Sequence, residues 1–238
     1  MKTIDSIHLP GGDSQLRYLL GNIELKDKHV LVIGSGSEVI VKEFLSKGVS
    51  KVELIVEEYD SLLNSKLELD HVEGANPKMM DFEITDYADD TFDLVYAQAS
   101  ISGTKRNKII KEIKRILKNE GVFVVGEIAK LEKLVPQFVQ DMFEDSDLDP
   151  LFIEDFEHYY KQRGFEIRDI MDYSKTLKDY YSTNLIKLSA SIKELTDNEK
   201  SYYKKLLNQI SHQSKAYLKQ GADRYIGFCT IIAIVNKR

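Results

Sequence analysis

The chain has 238 residues, 42% of them apolar and 30% charged, enough to bury a substantial core in one domain or in one domain with a sizeable insertion. A single cysteine, Cys229, leaves no disulfide framework, and a net charge of −6 argues against nucleic acid as the main partner, because phosphate binding draws on clustered Lys and Arg. No apolar run approaches the roughly 20 residues of a membrane span, and the N-terminus has neither the basic head nor the apolar core of a signal peptide, so a soluble cytoplasmic protein is expected.

In chain order, His8-Leu-Pro-Gly-Gly12 precedes a helix carrying Leu16, Leu19 and Leu20. The apolar run His29–Ile33 then reads as a buried strand that breaks at Gly34-Ser35-Gly36 into a helix, with Ser37 at its N-cap, Val39, Ile40, Phe44 and Leu45 on its apolar stripe and Gly48 past its end. Bare backbone amides at such a turn receive a nucleotide or an amino-acid carboxylate. The second strand, Lys51–Val56, ends in Glu57-Glu58 roughly 20 residues beyond the glycines, where an acid accepts both hydroxyls of a ribose. A dinucleotide fingerprint needs a third glycine at position 39, which is Val39, so NAD and FAD are disfavoured.

Further on come Met80-Asp81-Phe82-Glu83-Ile84, the strand approach Asp89-Asp-Thr-Phe-Asp-Leu-Val-Tyr96, and a helix over 104–118 with Ile109, Ile110, Ile113, Ile116 and Leu117 at helical spacing. Its other face, including Lys105, Arg106, Lys111 and Lys118, reads as solvated, since no aromatic platform for bases is interleaved. Leu117–Val125 leads a strand to Glu127, a helix over 151–163 stops at Gly164, and Phe165–Ile170 and Gly227–Val235 read as strands. Between the last two, residues 174–222 read as an inserted helical cap, with a capping box at Thr196-x-x-Glu199 and a long helix whose face carries Tyr203, Leu206, Leu207, Ile210, Tyr217 and Leu218. Tyr173, Tyr180, Tyr181, Tyr202, Tyr203, Tyr217 and Tyr225 are candidates to line a pocket beneath it, each with packing as its simpler role. Asp145-Ser-Asp-Leu-Asp149 starts like a calcium loop but has Pro150 where glycine is required, so it reads as a solvated acidic loop. His29, His71, His158 and His212 show no metal-ligand spacing, and Cys229 reads as a core residue.

Taken together, the strand–glycine turn, the acid near the third strand, the "D-x-x-F-D" approach to the fourth and Leu117-Lys-Asn-Glu-Gly-Val-Phe before the fifth resemble the class I S-adenosylmethionine-dependent methyltransferases, of the small-molecule, type 11-like kind. The resemblance covers roughly residues 8–172. It implies a Rossmann-like α/β fold: a mostly parallel seven-stranded sheet, helices on both faces and a helical cap before the last strand. The organisation follows as an N-terminal lid and helix (1–28), a cofactor-binding core (29–173), the cap (174–222) and a C-terminal core strand (223–238).

The resemblance also implies S-adenosylmethionine as cofactor. Gly34, Ser35 and Gly36 lie against its methionine part, Glu57 with Glu58 at the ribose, Asp81 at the adenine amino group, Phe82 against the ring and Gln98 near the methionine moiety. Methyl transfer from a sulfonium is an in-line displacement, so positioning supplies much of the rate and no catalytic triad is required. His8 is a candidate general base for a hydroxyl acceptor. The sequence departs from the family at Val32, commonly Asp or Glu, and at Glu38, commonly glycine. Two other readings stay open: a degenerate, non-catalytic binding protein of the same fold, and a spermidine-synthase-like aminopropyltransferase. The latter carries an aspartate-rich loop where this chain has Ala97-Gln-Ala-Ser100. The expected partner is a small-molecule methyl acceptor.

Overall fold

The structure is a computed structural model, and it describes residues 7–237. The apolar runs form one sheet because each needs partners on both edges, and the helices between them cover its two faces. In order the elements are α1 (Ser14–Asn22), β1 (His29–Ile33), α2 (Glu38–Ser46), β2 (Lys51–Val56), α3 (Tyr59–Leu69), β3 (Ala75–Met79), β4 (Phe92–Gln98), α4 (Arg106–Ile116) and β5 (Leu117–Lys130). There follow α5 (Gln137–Asp145), β6 (Leu151–Phe152), α6 (Phe156–Lys161), β7 (Phe165–Asp172), α7 (Leu177–Glu194), α8 (Asp197–Tyr202), α9 (Lys204–Lys219) and β8 (Ile226–Val235).

The sheet runs β3-β2-β1-β4-β5-β8-β7, with the short β6 as an eighth strand beside β5. The β1 pairs with β2 and β4 are parallel, as are β2–β3 and β4–β5; only β8 runs antiparallel, between β5 and β7. The expected seven-stranded core and its late antiparallel strand are therefore present. One apolar cluster, with Ile109, Ile113, Phe123 and Tyr160, fills one face; another, with Leu16, Val32, Phe44 and Tyr96, fills the other. A third, with Phe143, Tyr181, Tyr217 and Phe228, joins α5 and the cap to the sheet.

Several boundaries differ from the sequence reading. The helix expected over 151–163 is only α6, because Leu151 and Phe152 pair with Ala129 and Lys130 as β6. The capping box forms, with Thr196 N–H donating to Glu199 Oε2 at 2.8 Å, but it starts the short α8, and the chain breaks at Tyr203 before α9. Ser37 stands at the N-cap of α2 but makes no capping bond, and its buried Oγ has no partner among the described residues. Arg106, expected on a solvated face, is 3% exposed: its Nε donates to Glu127 Oε2 at 2.6 Å. Helical spacing explains this, since Arg106 lies in register with the buried Ile109, Ile110 and Ile113. Tyr160 donates to the other Glu127 oxygen, and Arg106 Nη2 donates to the carbonyls of Ser102 and Asp149, so one buried ion pair ties α4, β5, α6 and the acidic loop together. Residues 1–6 of the expected N-terminal lid lie outside the described residues.

Candidate active site

The carboxyl ends of β1, β2, β3 and β4 converge, where open α/β sheets bind ligands. After β1 the chain turns through Gly34, at φ +116°, and Gly36, at φ +77°. These values belong to glycine, and at Gly34 a Cβ would stand 2.6 Å from Ser100 Cβ. Ser100 Oγ donates to Ile33 O at 2.8 Å, so the loop after β4 closes directly on the glycine turn. Ser35 and Gly36 stay exposed, and Ser35 Oγ donates to Ser61 Oγ of α3 at 2.9 Å.

Glu57 and Glu58 stand exposed at the end of β2. The Phe82 N–H donates to Glu57 Oε1 at 3.4 Å, and Asp81 Oδ1 accepts from Glu83 N–H at 2.8 Å, which folds the segment after β3 into a tight turn beside Glu57. Gly34, Ser35, Gly36, Glu57, Glu58 and Asp81 thus share one edge, with the three acids beyond the glycine turn. Phe82 is different. It is 5% exposed and belongs to the core cluster, so its ring anchors the turn from below instead of presenting a free face.

Gln98 also differs from expectation. Its amide is committed to the N-terminal segment: Nε2 donates to Pro10 O and to Gly12 O, each at 2.8 Å, and Oε1 accepts from Tyr96 O–H at 2.6 Å. Gln15 reinforces the same latch by donating to Ala97 O at 2.9 Å. Residues 8–12 therefore lie as a strap over the glycine turn, where a Cβ on Gly36 would meet Leu9 Cδ2 at 3.4 Å. His8 is held by this strap and not by a loose leader: its Nε2 lies 2.8 Å from Asn184 Oδ1 of α7, and its ring stands 5.6 Å from that of Tyr180. Burial lowers its pKa, with Lys187 adding to the effect and the Asn184 bond opposing it.

Glu38 does not crowd the turn. Its Oε1 accepts from Ser65 Oγ at 2.5 Å, which directs the carboxylate toward α3. Val32, at the position that commonly carries an acid, is fully buried in the cluster with Phe44 and Tyr96.

Beyond the ends of β4 and β5 lies a cavity of about 240 Å³ between the sheet, the strap, α5 and the cap. Leu9, Ala99, Ile128, Phe143, Tyr180 and Tyr181 are among its wall residues. Of the candidate tyrosines, Tyr180 and Tyr181 reach it, Tyr217 stacks on Tyr181 at 4.4 Å, and Tyr202 is 82% exposed and not part of its lining. Phe143, Ser146 and Gln213 were missed; Val139, Met142 and Phe143, at helical spacing on α5, were the available signal. Among the described residues no cluster of His, Cys, Asp or Glu is arranged to hold a metal ion.

Residues 31–125 match the family model of the methyltransferase domain. That segment carries a methyltransferase domain. S-Adenosylmethionine is the cofactor of this domain, and the observed edge fits it: a glycine cradle at a helix N-terminus, and carboxylates at the next two strand ends. Among solved structures, a putative sarcosine dimethylglycine methyltransferase from Galdieria sulphuraria is similar at TM-score 0.76 and 13% identity, covering 94% of this chain and 85% of that one. Phosphoethanolamine N-methyltransferase 2 of Haemonchus contortus, in complex with S-adenosyl-L-methionine, is similar at TM-score 0.76 and 16% identity over 96% of this chain and 54% of that one. The [4+2]-cyclase SpnF is similar at TM-score 0.76 and 17% identity, over 94% and 80%. No curated protein sequence matches the chain. No helix among the described residues is long and apolar enough to cross a membrane.

Proposed function

We propose that this methyltransferase domain acts on a small molecule held in the cavity beneath the cap. The observation that carries the reading is that cavity: it lies between the strap and the cap, and Leu9 forms part of its wall while also standing next to Gly36. A cofactor on the glycine turn and an acceptor in the cavity are therefore neighbours. The fold alone does not fix this reaction, since SpnF has the same architecture and is a cyclase.

In this reading the backbone of Ser35 and Gly36 receives the methionine carboxylate at the positive end of α2, while Gly34, whose N–H donates to Ile55 O at 3.0 Å, contributes the close approach that a side chain would block. Glu57, assisted by Glu58, accepts from the ribose hydroxyls, and Asp81 accepts from the adenine amino group on the turn that Phe82 anchors. Gln98 acts indirectly, by holding the strap. When bound, S-adenosylmethionine supplies an electrophilic methyl group whose leaving group is a neutral thioether. The protein's task is then to orient the acceptor and exclude water. His8 lines a separate cavity, with Asp13, Asp179 and Lys187, so it serves the strap rather than the acceptor.

Calorimetric titration tests this reading. S-Adenosylmethionine and S-adenosylhomocysteine are expected to bind, and Asp81→Ala is expected to weaken both by roughly tenfold, the loss of about one hydrogen bond, while the lost turn bond from Glu83 N–H lowers the melting temperature by only about 2–4 °C. Unaltered binding by that variant would refute the placement of the adenine. Selective binding of decarboxylated S-adenosylmethionine would favour aminopropyl transfer, and binding of none of the three would favour a degenerate scaffold.

A further inference from the structure

The lining of the acceptor cavity is unusual for its lack of charge. Every wall residue is apolar, aromatic or neutral: beside the apolar wall stand only the Tyr180 and Tyr181 rings, the Ser146 hydroxyl and the Gln213 amide. Gln213 Nε2 donates to Ser146 Oγ at 2.5 Å, so these two neutral groups form one polar corner between α5 and α9. Burial raises the Tyr181 pKa well above its usual value, which keeps that phenol neutral. The neighbouring cavity beside His8 has the opposite character, with Asp13, Asp179 and Lys187 on its wall. Charge is thus available nearby and kept out of the acceptor chamber.

A charged ligand moved into such a chamber loses its hydration without gaining an ion partner, which costs several kcal/mol. Size restricts the ligand too, because about 240 Å³ lies below the range of roughly 300–1,000 Å³ found for drug-sized sites. Three aromatic rings, those of Phe143, Tyr180 and Tyr181, belong to the lining, which suits a ring-bearing ligand. We infer that the acceptor is a small, uncharged, largely apolar and ring-bearing molecule with one polar group directed at the Ser146–Gln213 corner. This rests on the methyl-transfer reading, which it narrows. It also separates the chain from the phosphoethanolamine methyltransferase, whose named substrate is charged.

The test measures binding of indole, phenyl phosphate and choline to the protein saturated with S-adenosylhomocysteine. Indole is expected to bind at least tenfold more tightly than either charged probe. Leu148→Trp, which fills the chamber, is expected to abolish indole binding, and Gln213→Glu, which places a carboxylate in its polar corner, to weaken it at least tenfold. Both variants are expected to keep the affinity for S-adenosylhomocysteine within twofold, which shows that they fold. The inference is overturned if S-adenosylhomocysteine binds but indole does not, if a charged probe binds as tightly as indole, or if neither variant affects indole. Failure of S-adenosylhomocysteine to bind the parent protein instead refutes the methyl-transfer reading beneath it.

Discussion

Replacing Gln98 with leucine separates the two duties of this side chain. Its Nε2 holds the carbonyls of Pro10 and Gly12, and its Oε1 accepts from the hydroxyl of the fully buried Tyr96. Two neutral hydrogen bonds at about 0.5–1.5 kcal/mol each put the loss of strap closure at about 1–3 kcal/mol, so the open strap becomes roughly 5 to 150 times more populated. The orphaned Tyr96 hydroxyl costs a further ~1–3 kcal/mol, which falls on global stability because that residue lies in the core. Urea denaturation reads the global part. Amide exchange reads the local part at Gly12 and Ser14, whose N–H groups donate to Leu9 O and Gly11 O within the strap. The double variant Tyr96→Phe/Gln98→Leu removes both partners of the buried bond, so it is expected to recover most of the global loss while its strap still exchanges fast. Unchanged exchange at Gly12 and Ser14 in Gln98→Leu would refute the latch. Loss of cofactor affinity without faster exchange would show that Gln98 touches the cofactor directly.

Arg106→Met leaves the fully buried Glu127 carboxylate without its cation and is expected to cost about 3–5 kcal/mol in urea denaturation, most of it regained in Arg106→Met/Glu127→Leu. Gly11→Ala is expected to lower the melting temperature far more than Gly12→Ala. A Cβ at Gly11, φ +89°, would stand 2.3 Å from Phe228 Cε1, whereas at Gly12, φ +54°, it meets nothing within 4 Å, so the second change costs only about 1–2 kcal/mol of backbone strain. The pKa of His29 is lowered, chiefly by burial and further by Lys51, and its Nε2 is buried without a partner among the described residues. The unfolded chain therefore takes up the proton first, and stability is expected to fall as pH drops below about 6.5 toward the folded value. His29→Phe, which keeps the ring beside Phe92, is expected to flatten that part of the melting temperature against pH, and an unchanged slope would place the effect elsewhere.

What the sequence makes legible here is local or periodic. The β1 turn, the stripe of α4 and the Thr196–Glu199 box each lie within a few residues and carry their own physical signature, and all three appear in the structure. What it hides are side chains whose partners are remote. Gln98 finds Pro10 across 88 positions and Gln15 finds Ala97 across 82, so the residue expected beside the methionine moiety proves to be a strap anchor. Arg106 is an intermediate case. Its charge puts it with the lysines on the solvated face of α4, but its spacing from Ile109, Ile110 and Ile113 turns it inward, where Glu127, inside an otherwise apolar strand, is its counter-ion. The acceptor cavity was legible only as a location under a cap; its neutral walls come from α5, α7 and α9, which no sequence period relates to one another.

The two departures from the family pattern bear on the cofactor edge in opposite directions. An acid at position 32 would have to sit in the cluster with Phe44 and Tyr96, and Val32 closes that cluster completely, so the glycine turn lacks that carboxylate for an ammonium. Glu38 adds a carboxylate at the start of α2, but Ser65 draws it toward α3 and leaves the amides of the turn in a field set by the helix. On the proposed placement of the cofactor, the edge would keep its means of holding a carboxylate while giving up a side chain that would hold an amine. A retained carboxylate subsite favours intact S-adenosylmethionine over its decarboxylated form, which is the distinction between methyl transfer and aminopropyl transfer. On that ground Val32 and Glu38, which in sequence look like erosion of the site, are compatible in structure with a working methyltransferase.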